Sequence, residues 1–301
     1  MRIESGMKTF VKIFPIILGA VFFLTLGFWL GDHVTTAQEE TPEAKDTVEQ
    51  EEQTSGENTE KDTENLENEL QQKGDQWAEG APNSLEFRVY DLDMEQSYTY
   101  TNDEEDKKYV TASIAKVAVA MLFLHEKEET QEDLTDEETD LLNRMIVSSD
   151  NEAATTLLDS LGGYSSLQEL FDQLGMDDTK ADEETWGKTS TNTKDQIKLL
   201  EELYTSSQYL TEESQEVIID LMSHIQPDQS WGVYAGSSDV SFKNGWLPND
   251  LTDEWIVNSI GKVSRGDKEY LAVALSDKNL TIEEGSQVIE DLIRISSDYL
   301  L

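Results

Sequence analysis

The chain has 301 residues, with 64 acidic side chains against 22 basic ones, a net charge of −42 and no cysteine. Such a charge repels phosphate backbones, which argues against a nucleic-acid partner, and the absence of thiols rules out disulfides, thiolate metal sites and a cysteine nucleophile. The three histidines, His33, His125 and His224, fall in neither H-x-H nor H-E-x-x-H spacing, so no metal is expected and no cofactor is called for.

The first element is the apolar run Phe10 to Gly31 (FVKIFPIILGAVFFLTLGFWLG). About twenty apolar residues span a bilayer as a helix. Arg2, Lys8 and Lys12 precede or open the run and acids follow it, so the positive-inside tendency puts the N-terminus in the cytoplasm and the rest outside. A secretory signal cleaved near Ala37 is the competing reading, and the length of the run favours a retained anchor. Residues 1–36 are therefore expected to be a cytoplasmic tail and membrane anchor, with the helix over about 10–31. Residues 37–81 are rich in Glu, Thr, Gln and Asn and predict a disordered acidic linker, in which only NLENELQQK (65–73) has a helical look.

The folded domain is expected over 82–301. Leu85 to Tyr90 and Tyr98 to Thr101 alternate as strands and predict a hairpin. A helical middle follows: Thr111 to Lys127, Asp136 to Ile146, Asn151 to Leu161 closed by Gly162-Gly163, Leu167 to Leu174, Thr193 to Leu203 and Thr211 to Ile225. Strands are predicted at Val240 to Lys243, Trp255 to Val263 and Tyr270 to Leu275, and Ile282 to Leu300 is an amphipathic helix. This order predicts an α/β (α+β) domain, with one five-stranded antiparallel sheet flanked by helices and a reduced all-helical subdomain.

Three motifs carry candidate chemistry. Ser113-Ile114-Ala115-Lys116 opens the most apolar helix, and i, i+3 spacing sets hydroxyl and amine on one face. A serine hydroxyl needs a base beside it to become a nucleophile, and a desolvated lysine can be that base. Ser5–Lys8 and Ser259–Lys262 share the spacing, but only Ser113 has a helix beginning beneath it. Ser149-Asp150-Asn151 precedes a helix and reads equally well as a helix cap. Lys243-Asn244-Gly245 ends a strand, where a cation can bind a carboxylate and a glycine allows close approach, or where the chain simply turns.

Taken in this order, S-x-x-K, S-D-N and K-x-G resemble the class A β-lactamase and penicillin-binding protein superfamily. The likeness extends to SSDNEAATTLLDSLGG and to FKNGWLP, WIVNSIGKV and YLAVALS, and covers Leu85 to Leu300. It implies that Ser113 is acylated, that Lys116 transfers its proton, and that Ser149 bridges the two lysines and protonates the leaving nitrogen. It further implies that Lys243, Asn244 and Gly245 bind substrate, that Asn151 contacts the lysine or the substrate amide, and that the N–H groups of Ser113 and Leu247 form the oxyanion hole.

The sequence departs from that pattern in three ways. Asn244 replaces the hydroxyl residue of K-T-G, and Ser149 follows Ser113 sooner than in familiar β-lactamases. No E-x-x-L-N motif supplies a deacylating glutamate; Glu183 and Glu184, near the Ω-loop's place, are the available substitutes, though solvated surface acids are the readier reading of both. Three readings follow: a membrane-anchored extracellular hydrolase of β-lactams that turns over slowly; a D-alanyl-D-alanine peptidase acting on peptidoglycan stem peptides; or a catalytically weak wall-binding domain. A monomer is expected in each case.

Overall fold

The computed structural model describes residues 51–80, 83–104, 106–249 and 252–301. Its centre is a five-stranded antiparallel sheet built from β1 (Ser84–Asp91), β2 (Gln96–Thr101), β5 (Asp239–Pro248), β6 (Trp255–Arg265) and β7 (Lys268–Asn279), in the order β2-β1-β7-β6-β5. The predicted fold class is therefore observed. Two short strands, β3 (Tyr109–Val110) and β4 (Ser190–Thr191), pair separately and tie the chain ahead of Ser113 to the segment that precedes the later helices.

The central strand β7 is apolar on both faces, as a strand covered on both sides must be. Leu271, Val273 and Leu275 face one core, shared with helix α2 (Ala115–Thr130) and the helical middle. Tyr270, Ala272 and Ala274 face the other, under helix α8 (Ile282–Leu300). Between them in sequence lie α3 (Asp136–Val147), α4 (Asn151–Ser160), α5 (Tyr164–Gln173), α6 (Thr193–Tyr204) and α7 (Glu212–Ser223). The α3 start is a full capping box, in which Thr135 accepts from the Glu138 N–H and the Glu138 carboxylate accepts from the Thr135 N–H.

The expected linker is a point of correction. Residues 51–80 form a helix, α1 (Glu51–Gly80), and its second half docks on the domain. Leu66 and Leu70 are fully buried in the core under α8, and Trp77 packs against the same core. Lys73 pairs with Asp291 at 2.9 Å, and the Trp77 indole N–H donates to the same carboxylate at 3.2 Å. Residues 66, 70, 73 and 77 follow the 4-3-4 spacing of one helical face. The average composition is polar, yet a four-residue seam suffices to dock the helix. Gly74 leaves room for the Tyr100 ring, which a Cβ at that position would overlap at 2.1 Å.

The anchor expected at 10–31, the cleavage point near Ala37 and the rest of the tail lie outside the described residues. Among the described residues, no helix is long and apolar enough to cross a membrane.

Candidate active site

Ser113 sits in a single 3-10 turn, Ala112–Ile114, directly ahead of α2. Ala112 has φ +48, a left-handed conformation that reverses the chain and delivers Ser113 to the helix start. Two contacts hold this turn against the sheet. The Asn258 amide in β6 donates to the Val110 and Thr111 carbonyls at 2.8 and 3.0 Å. On the neighbouring strand, Gly245 lies so close that an added Cβ would stand 2.8 Å from the backbone nitrogens of both Ser113 and Ile114. The glycine of K-x-G is there for that approach.

Lys116, one turn into α2, is fully buried. Its amine donates to the Ser149 carbonyl at 2.6 Å and to Asn151 Oδ1 at 2.7 Å, and stands 3.1 Å from the hydroxyl oxygens of both Ser113 and Ser149. Burial pushes its pKa down to about 7, against a smaller upward pull from Asp150. A neutral amine has two N–H groups and one lone pair. The two short bonds to pure acceptors use the N–H groups, leaving the lone pair to accept the Ser113 proton.

The S-D-N segment divides its labour. Ser149 has φ +57, so its carbonyl and hydroxyl both reach Lys116. Asp150 is the N-cap of α4, accepting from the N–H groups of Glu152 and Ala153, and it pairs with Arg144 at 2.6 Å. The capping alternative thus holds for Asp150, while Ser149 and Asn151 face the lysine.

Lys243 on β5 is also fully buried. Its amine donates to Ser149 Oγ at 3.0 Å and to the Asn244 carbonyl at 2.9 Å. Desolvation first, and the nearby Lys116 second, hold its pKa well below the lysine range. Ser113, Lys116, Ser149 and Lys243, far apart in sequence, therefore converge in one cluster.

Two of the expected substrate contacts are corrected. The Asn244 side chain is buried and already engaged: its amide donates to the carbonyls of Gln229 and Trp231 at 2.8 and 3.1 Å, and its Oδ1 accepts from Ser259 at 2.6 Å. It clamps the 229–233 segment to the sheet rather than facing a ligand. Leu247 has the wrong strand parity for an oxyanion donor. β5 is an edge strand, and the Asn244 carbonyl that takes the Lys243 amine lies on its open side. N–H and C=O directions alternate along a strand, so residues 246 and 248 share that open edge. Pro248, which has no N–H to give, occupies this parity as an edge proline does. The N–H of Leu247 belongs to the side paired with β6, and the free donor beside Gly245 is that of Trp246.

Glu183 and Glu184 are both exposed, in keeping with solvated surface acids, and no hydrogen bond of Lys116 reaches a carboxylate among the described residues. What meets Lys116 from that segment is the Trp186 ring, buried, with its centroid 4.8 Å from the amine. Sequence reading gave no site role to Trp186, Asn258 or Ser259, although Ser259 lies in an S-x-x-K spacing and both Asn258 and Ser259 lie in the WIVNSIGKV strand. Trp231 and Trp255 pack on the core under α8, and Trp231 meets Trp246 edge-on at 6.0 Å. His125 stacks on Tyr209, a packing role. Among the described residues no acidic or histidine cluster could hold a metal.

Comparison with known proteins agrees with this geometry. The model of the Beta-lactamase2 group, the beta-lactamase enzyme family, matches residues 138–300, which include Ser149, Asn151 and Lys243. The fold resembles that of PBP-A, at 19% identity over 78% of this chain and 95% of that one, with a TM-score of 0.64. It resembles the TLA-1 extended-spectrum β-lactamase at 14% identity over 79% and 98%, with a TM-score of 0.68. It also resembles an ancestral class A β-lactamase at 16% identity over 76% and 99%, with a TM-score of 0.61. No curated protein matches the chain in sequence. With more than half its length matched, and a serine–lysine cluster beside the sheet, the chain belongs to the beta-lactamase enzyme family.

Proposed function

We propose that this chain is an acyl-transferring serine enzyme, in which Ser113 is acylated by β-lactams or by the related amide bonds of peptidoglycan stem peptides. The observation that carries the reading is the unbroken path Ser113–Lys116–Ser149–Lys243, with contacts of 3.1, 3.1 and 3.0 Å. The neutral Lys116 amine takes the Ser113 proton as Oγ attacks the carbonyl carbon. The N–H groups of Ser113 and Trp246 stabilise the oxyanion. As the C–N bond breaks, the Ser149 hydroxyl gives its proton to the departing nitrogen and is reprotonated by a lysine. A substrate carboxylate entering beside Lys243 favours that amine's charged form, since a counter-anion opposes the desolvation that lowers its pKa.

Between the two hydrolytic readings, a slowly released acyl-enzyme of the penicillin-binding peptidase kind is favoured over rapid β-lactam turnover. Its basis is the all-neutral shell of Lys116, which contains no carboxylate to activate a water. We place the domain outside the cell, tethered by the apolar run at 10–31; both substrate classes are found there, and fractionation with N-terminal sequencing of the native protein tests the tether.

The enzymatic test is a fluorescent penicillin followed by intact mass over time. An adduct that forms in the parent and is lost in Ser113→Ala supports acylation. An adduct persisting for minutes or longer identifies the peptidase-like behaviour, and one gone within seconds identifies a β-lactamase. No adduct, or one surviving Ser113→Ala, leaves only a wall-binding role.

A further inference from the structure

The lysine at the centre of the cluster has no open vertex. Ser113, the Ser149 hydroxyl and carbonyl, and Asn151 surround its amine with four oxygens, and the Trp186 ring covers it at 4.8 Å. Trp186 is fixed at both ends of its short segment. Its indole N–H donates to Thr155 Oγ1 on α4 at 3.2 Å, and the adjoining Thr189 carbonyl accepts from the Thr111 N–H at 2.9 Å, two residues before Ser113. The ring is nearly buried, so it is a wall of the site and not a mobile lid.

We propose that Trp186 is a positioning residue working through Lys116: it keeps water off the amine and so makes the Ser113 acyl-enzyme long-lived. The inference rests on the acylation reading above and adds the residue that sets the fate of the adduct. Hydrolysis of the ester needs a water whose proton is removed as its oxygen adds to the acyl carbon; the ester C–O bond then breaks and Ser113 regains the proton. With Lys116 closed, no base holds such a water. A ring face also attracts a cation, by roughly 0.5–2 kcal/mol. Burial nonetheless holds the Lys116 pKa well below the lysine range. The other charges bearing on the amine are Asp150, itself held by Arg144, and Lys243 across Ser149, and neither changes when the ring is removed.

The test compares Trp186→Ala and Trp186→Phe with the parent in two measurements. The first is the half-life of the Ser113–penicillin adduct by intact mass; the second is the titration of Lys116, read from its side-chain 13Cε shift in the ligand-free protein. In Trp186→Ala the adduct half-life is expected to fall about tenfold or more, as a base regains access to water, and the Lys116 midpoint to rise by about one unit or more, as the amine is rehydrated. Trp186→Phe keeps an apolar ring and loses only the bond to Thr155, so both readings return towards the parent. A Trp186→Ala protein with a cooperative melt and either reading unchanged overturns the proposal, as does a Trp186→Phe protein that behaves like Trp186→Ala. Failure of the parent to form any adduct sinks the acylation reading instead, and the Lys116 titration still decides whether Trp186 keeps that amine dry.

Discussion

Replacing Lys116 by methionine exposes the energetic tension at the centre of the site. Burial lowers the Lys116 pKa from 10.5 to about 7, and three to four units correspond to roughly 5 kcal/mol of native-state penalty on the charged form. The sign follows from linkage. The unfolded chain binds the Lys116 proton up to about pH 10, while the native chain releases it near 7, so the unfolded state holds more protons between those values and native stability rises with pH. Below pH 7 the penalty is felt in full, and it disappears as pH approaches 10. Lys116→Met removes the penalty but strands the Ser149 carbonyl and Asn151 Oδ1, at roughly 1–3 kcal/mol each. At pH 6 the two effects nearly cancel, and parent and variant should unfold within about 2 kcal/mol of each other. By pH 9 the parent should have gained about 3 kcal/mol on the variant, at about 1.4 kcal/mol per unit. Removing Lys116 also relieves part of the lowering of the Lys243 pKa, and this adds to the difference in the same direction. Urea unfolding at pH 6, 7.5 and 9 measures this directly, and a stability difference that stays constant across the three would refute a lysine held neutral by burial.

Gly245→Ala should lower the acylation rate at least tenfold for a stability loss of about 1–3 kcal/mol. Its Cβ must displace the backbone nitrogens of Ser113 and Ile114, and stopped-flow labelling beside a thermal melt reads both effects. Leu66→Ala and Leu70→Ala should each destabilise the whole domain by about 2–5 kcal/mol in denaturant titrations, because both side chains are core residues; a mere tether would show no change. Acylation by an anionic penicillin should accelerate as NaCl rises from about 0.01 to 0.5 M. The net charge of −42 repels such a substrate until the Debye length shrinks to a few ångströms, and a salt-independent rate would show that the cleft is shielded from the rest of the chain.

The parts of the molecule legible in the sequence are those whose signal is periodic or local. The final helix was readable to its observed bounds, Ile282–Leu300, from its amphipathic spacing, and the β1–β2 hairpin from alternation. Strands β5 and β7 run beyond their apolar stretches, because their ends, such as Asn244 to Pro248, carry polar or aromatic residues suited to the site and the open edge. Ser113, Lys116, Ser149, Asn151 and Lys243 were legible because hydroxyls and amines recur in three motifs in a fixed order. The direction of a side chain was not legible: nothing in K-N-G reveals that Asn244 points away from the ligand side, or that the open edge falls on Trp246 and not Leu247. The docking of α1 was hidden by averaging, since over the whole helix the four seam residues are outnumbered by acids.

The left-handed Ser149 connects these observations. A non-glycine residue at φ +57 is disfavoured, and the Asp150 cap with its Arg144 partner holds the backbone there. In that conformation one residue offers Lys116 both a carbonyl and a hydroxyl, and offers the same hydroxyl to Lys243. Two buried amines can share one hydroxyl only if they are not both charged, since their repulsion in a dry site has no counter-ion within hydrogen-bond reach of either. The arrangement therefore disfavours charging both amines before substrate arrives, and an arriving carboxylate favours the charged form of Lys243. Substrate binding and base activation are coupled through Ser149, and it follows that Ser149→Ala should damage proton transfer at both ends of the cluster while leaving Ser113 itself in place.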